Sequence, residues 1–253
     1  MTSTLEIRVR EGLARRTTEK TYMILQNNPQ LMDSFKSSII EGMRKLVDTI
    51  LELDFSINDE QREKIRLNHA EKFLSVLKSQ YDNPVGFKKL LYSELKKQWM
   101  SYEELSGHMM EMSRDLRDKG GFGEEDIEKY KIAFDGILRY ARMNDRIVER
   151  LVDISKKEGL EKAMEEEVRY EIIRDLFPTE DDYRTFYIQG AENLGKFFIE
   201  LQEILAKADM DGGIESMTEL SEFAEATKGF FKVTEDFQKV YLEKIVKEIY
   251  GGE

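Results

Sequence analysis

The sequence predicts an all-α fold, and three observations carry that expectation. Apolar residues recur at steps of three and four along most of the chain. Only three prolines interrupt its 253 residues. The single strand-like run, Leu5 to Arg10, reads equally as the start of a first helix.

Taken in order, Pro29 opens a helix whose apolar face is Phe35, Ile39, Met43, Leu46, Ile50 and Leu53. Asn58 or Asp59 caps the next, with the stripe Ile65, His69, Phe73 and Val76, ended by Asn83-Pro84-Val85-Gly86. From Phe87 a near-heptad seam runs through Leu91, Leu95, Tyr102, Leu105, Met109, Met112 and Leu116, broken only by polar Gln98, and predicts one long helix. Lys119-Gly120-Gly121-Phe122-Gly123 turns the chain. Ile127, Tyr130, Phe134, Ile137, Ala141, Asn144, Val148 and Leu151 then predict a second long helix with coiled-coil-like packing. A shorter helix around Leu160, Met164, Val168, Ile172 and Leu176 stops at Pro178, where Thr179 caps its successor. That successor carries Tyr183, Tyr187, Gly190, Leu194, Phe197, Leu201, Ile204 and Ala208, and the last helix spans about Ile214 to Ile249.

The two helices over 87–119 and 124–157 would each reach roughly 50 Å, against a diameter of about 46 Å for a compact globule of this length. The expectation is therefore an elongated antiparallel bundle of about seven to eight helices, several over about 30 residues long. It forms one domain over 1–253, with a soft boundary near 157–178 between an N-terminal and a C-terminal sub-bundle. Residues 157–182 hold ten acids and four bases, a net of −6, half of the whole chain's −12.

With 51 acidic against 39 basic side chains, the chain is a poor match for a duplex phosphate backbone. The lack of cysteine excludes disulfides, thiolate zinc sites, iron–sulfur clusters and cysteine nucleophiles. No apolar run is long enough to span a membrane, and Met1 to Glu6 leads into no apolar leader, so a cytoplasmic location is expected.

Chemistry-bearing residues are few. Lys207 to Thr218 has the Asp209, Asp211, Gly212 and Ile214 of an EF-hand loop, with Glu215 nearby. Lys207 and Thr218 replace the two decisive carboxylates, so an Asp-Gly-Gly helix connection is the plainer reading. His69 falls on the apolar stripe, where an inward imidazole suits haem or a metal, or simply a neighbouring helix. His108 beside Met109, Met110 and Met112 suits a soft ion, although methionine at seam positions fills cores. Glu158, Glu161, Glu171 and Asp175 approach, without matching, the spacing of helical metal-dependent hydrolases. Asn144, polar at a seam position, points to an interhelical bond or an oligomer seam, with a rotation toward solvent as the equal alternative. Arg15 and Arg16 lie in a basic N-terminal stretch suited to an acidic surface, such as 157–182 of another copy. The balance favours a non-enzymatic helical-bundle protein without a cofactor, acting through a protein partner or self-association as adaptor, scaffold or regulator. The alternatives are a ligand- or cofactor-sensing bundle, with haem at His69 or a cation at 207–218, and a hydrolase using the 157–182 carboxylates.

Overall fold

The computed structural model describes residues 3–53, 58–119, 123–190, 192 and 236–251, and every regular element among them is helical. The elements are α1 (Thr4–Gln26), α2 (Pro29–Leu53), α3 (Asp59–Ile65), a π-helical turn (Arg66–Ala70), α4 (Glu71–Asp82), α5 (Pro84–Lys97), α6 (Tyr102–Lys119), α7 (Glu124–Glu158), α8 (Leu160–Ala163) and α9 (Glu166–Leu176). Helical segments at 180–190 and 236–250 complete the described chain. The strand-like run at Leu5 is thus helix, with Val9 fully buried. No described helix is long and apolar enough to cross a membrane.

Two compact units share the chain. The first comprises Met1–Thr21, Tyr92–Ile204 and Lys239–Glu253, and the second Tyr22–Leu91 and Leu205–Gln238. The stretch 157–178, where the sequence suggested a soft boundary, lies wholly within the first.

In the first unit α6, α8 and α9 pack on α7. Its core joins Val9 and Leu13 of α1, Ile147, Val148, Leu151 and Val152 of α7, Val168, Ile172 and Ile173 of α9, and Leu242, Ile245 and Ile249 near the C-terminus. Of the predicted α7 seam, Phe134, Ala141, Asn144, Val148 and Leu151 are buried and Ile137 is half-buried, while the side chains of Ile127 and Tyr130 lie outside the description. Gly159 ends α7 at φ +94°, a conformation that favours a residue without Cβ.

The second unit is organised on Phe87. Its ring lies 5.4 Å from that of Tyr81, 6.1 Å from Tyr22 and 6.4 Å from Phe35, and α2 packs on α4. Gly86 allows the corner between α4 and α5, since a Cβ there would stand 2.7 Å from the Gln80 carbonyl oxygen.

The helix expected over 87–119 is two, α5 and α6, separated at residues 98–101. Ser101 causes the break: its Oγ accepts from Glu104 N at 3.1 Å while Glu104 Oε2 accepts from Ser101 N at 3.0 Å, a reciprocal cap that starts a new helix. Among the described residues only α7, at 35 residues, has the length expected of several helices. The segment Leu160–Leu176 likewise divides, into α8 and α9. The caps expected at Asn58 and Thr179 are present, with Gln61 and Asp182 returning the bond.

Candidate interaction surface

The π turn decides which face of α4 is free. Glu71 N–H donates to the Arg66 carbonyl, five residues back, so one residue is inserted into an otherwise α-helical run. The expected inward stripe Ile65, His69, Phe73, Val76 is displaced by one position after Ile65. Ala70, Leu74 and Tyr81 are buried and Leu77 is half-buried, while His69, Phe73 and Val76 are exposed. The inward placement of His69 is thereby corrected: the wide turn rotates it out of the core.

The result is a helix with two neighbouring apolar stripes. The inner one packs within the second unit. The outer one presents Phe73, 47% exposed, and Val76, 58% exposed, one turn apart, with His69 a turn before them. An amphipathic helix needs one apolar stripe to bury itself. The second has no such role among the described residues. Glu71, paired with Arg44, ties α4 to α2 beside it.

Asn144, the other polar residue singled out by spacing, is 5% exposed. Its Nδ2 donates to the Gln98 carbonyl oxygen at 3.2 Å, so it satisfies the acceptor stranded where α5 ends. Asn144 also lies close enough to the Tyr140 hydroxyl to act on it, favouring its ionised form. Burial, with Tyr241 adding to it, nonetheless pushes that hydroxyl up to about 12. Asp145 completes the junction: Oδ2 accepts from Tyr102 N at 3.0 Å, at the first turn of α6, and Oδ1 accepts from Arg10 at 2.7 Å. Arg10 also donates to the Trp99 carbonyl oxygen at 2.9 Å and to Glu6. The Trp99 indole N–H lies 3.3 Å from Thr17 Oγ1. Sequence reasoning read Arg10 only as one of the basic residues of the N-terminal stretch, and missed Asp145 and Ser101. The last was readable as Ser101-Tyr102-Glu103-Glu104, but the apolar seam running through it pointed to continuous helix.

Arg15 is exposed and Arg16 half-buried. The basic residue of α1 that does meet the acidic stretch is Lys20, which pairs with Glu166 at 3.0 Å and with Glu248, inside the same chain. Burial works to lower the Lys20 ammonium, but bonds to Glu248, Tyr170 and Glu166 outweigh it and hold it above the usual lysine range. His108 is exposed, 3.8 Å from Glu111, and the side chains of Met109 and Met112 lie outside the description. Glu158, Glu161, Glu171 and Asp175 are exposed. No group of three or more histidine and carboxylate side chains able to hold a metal ion occurs among the described residues. Asp209, Asp211 and Glu215 lie outside them.

No family model, no curated protein and no solved structure matches this chain.

Proposed function

We propose that this is a non-enzymatic helical protein that works by binding another protein, as adaptor, scaffold or regulator. The outer stripe of α4 is the contact. The observation that carries the reading is the π turn itself: it leaves Phe73 and Val76 outside although their spacing is that of a core stripe. Antiparallel, coiled-coil-like packing along α7, self-association and a cytoplasmic setting belong to the same reading.

The test is photo-cross-linking. A benzophenone side chain replacing Val76, and a second replacing exposed Lys156 as control, are irradiated in a native lysate of the source cell. Discrete adducts from position 76, absent from position 156 and suppressed by excess unlabelled wild type but not by Phe73→Ser/Val76→Ser, are expected. Equal labelling from both positions, or none from position 76, would overturn the reading. The serine variant should stay within about 0.5 kcal/mol of wild type, because both side chains are exposed.

A further inference from the structure

A second surface, on the other unit and of opposite chemistry, is an open recess of about 460 Å³ lined by Tyr102 of α6 and by Arg139, Arg142, Met143, Asp145, Arg146 and Glu149 of α7. Arg139 is held by Asp135, at 2.7 and 2.9 Å. Asp145 has both oxygens committed, to Arg10 and to Tyr102 N. Arg142 donates to the Tyr102 hydroxyl at 2.8 Å, and its guanidinium sits 4.3 Å from the centre of that ring, with no carboxylate partner among the described residues. Arg146 makes no ion pair there either. In a chain of net charge −12, two exposed arginines four residues apart thus have no carboxylate partner among the described residues. Like charges at that spacing repel.

We propose that this recess docks an acidic helix of a partner protein, with one carboxylate on Arg142 and a second on Arg146. The ring of Tyr102 under Arg142 fixes the plane of the guanidinium, leaving its outer edge as a fork for a carboxylate. Glutamates four apart on a helix stand about 5–6 Å apart at their Cβ atoms, the spacing of Arg142 and Arg146 on α7. Met143 and the Tyr102 ring supply an apolar floor for the aliphatic part of such side chains. Glu149, also in the lining, adds a negative charge, which disfavours a continuous phosphate backbone and suits a helix whose acids are followed by a base. The inference goes beyond the α4 reading and shares no residue with it.

The probe is a fluorescein-labelled, alanine-based helix of about 15 residues with glutamates four apart, and its lysine counterpart, followed by fluorescence anisotropy. Wild type should bind the glutamate helix, not the lysine one, with affinity falling as salt rises. Arg142→Glu/Arg146→Glu should bind about tenfold more weakly or worse. Arg142→Lys/Arg146→Lys, which keeps the charge and loses the fork, should fall between. Lys156→Glu/Lys157→Glu, with the same change in net charge, should bind as wild type does. Equal loss in that control means diffuse electrostatics and overturns the proposal. So does displacement of the peptide by tripolyphosphate at matched charge, which makes the recess a phosphate site. A concentration-dependent dimer abolished by the arginine variant would make the occupant a second copy and overturn it too. Failure of wild type to bind ends it while leaving the α4 cross-linking result untouched, so the two readings fail separately.

Discussion

Removing the Asp145 carboxylate should be among the costliest single changes outside the apolar core. Its Oδ1 takes a charge-assisted bond from Arg10, whose side chain is only 11% exposed, and its Oδ2 caps the first turn of α6. The first contact is worth about 1.5–3 kcal/mol and the cap about 1 kcal/mol. Asp145 itself retains some exposure, so the lower half of the first range applies, and Asp145→Ala should cost about 3 kcal/mol in all. For a chain of this size that lowers Tm by roughly 6–12 °C. Urea unfolding followed by fluorescence is the assay, because Trp99 is the only tryptophan and its carbonyl accepts from Arg10 in the same junction. Asp145→Asn keeps the size but offers one acceptor oxygen where Asp145 uses two and turns an NH2 toward Arg10 or Tyr102 N, so it should cost nearly as much as the alanine change. A double cycle with Arg10→Ala should show coupling above about 1 kcal/mol. Additivity within about 0.5 kcal/mol, or a total loss below about 1 kcal/mol, would refute the account.

Asn144→Leu leaves the Gln98 carbonyl without its bond and should lower the urea midpoint by the equivalent of about 1–3 kcal/mol; an unchanged midpoint would mean that the polar seam residue stabilises nothing. Burial acts to raise the Glu248 carboxyl, but bonds from Lys20 and Tyr170, with the Lys20 charge, hold it below its ordinary value. Its stabilisation is therefore present above the usual carboxylate pKa and lost as pH falls through the lowered one. Tm of wild type should accordingly drop more steeply than that of Glu248→Gln on going from about pH 5 to pH 3, and parallel curves would exclude the linkage. Deleting exposed Asn68 removes the inserted residue of the π turn and should leave Ala70, Leu74 and Tyr81 in the core, with stability changed by about 1 kcal/mol or less. A loss of several kcal/mol, read from the urea midpoint, would show that the turn is not a one-residue insertion.

Much of the helical order is legible from local letters. Asn58 with Gln61, Thr179 with Asp182 and Gly159 act on backbone groups within a few residues, so their role needs no tertiary knowledge. The α7 seam is legible for a different reason: with Leu151 and Val148 wholly buried, its period is imposed along an uninterrupted helix. The break between α5 and α6 was less so. The apolar seam and the Ser101–Glu104 cap disagree there, and the cap prevails because Asn144, Asp145 and Arg10, each at least 43 residues from its partner in sequence, satisfy the Gln98 carbonyl, the Tyr102 N–H and the Trp99 carbonyl that the break exposes. Spacing alone identified Asn144 as unusual without revealing that its partner is a main-chain carbonyl.

The α4 face illustrates a choice that periodicity cannot make. Two stripes with helical spacing, Phe73 with Val76 and Leu74 with Leu77 and Tyr81, stand side by side, and only one can be buried against α2. Extending the first stripe inward brings His69 with it, and a buried imidazole needs a hydrogen-bond partner or loses its hydration uncompensated. The second stripe begins at Ala70, which has nothing polar to desolvate, and ends at Tyr81, whose ring reaches Phe87 at 5.4 Å. The polar balance thus favours the second stripe, and a single π turn is the least disruption that selects it without altering α3 before it. A helix whose spacing would also allow Phe73 and Val76 to be buried instead turns them outward, so α4 keeps an exposed apolar pair beside its buried stripe.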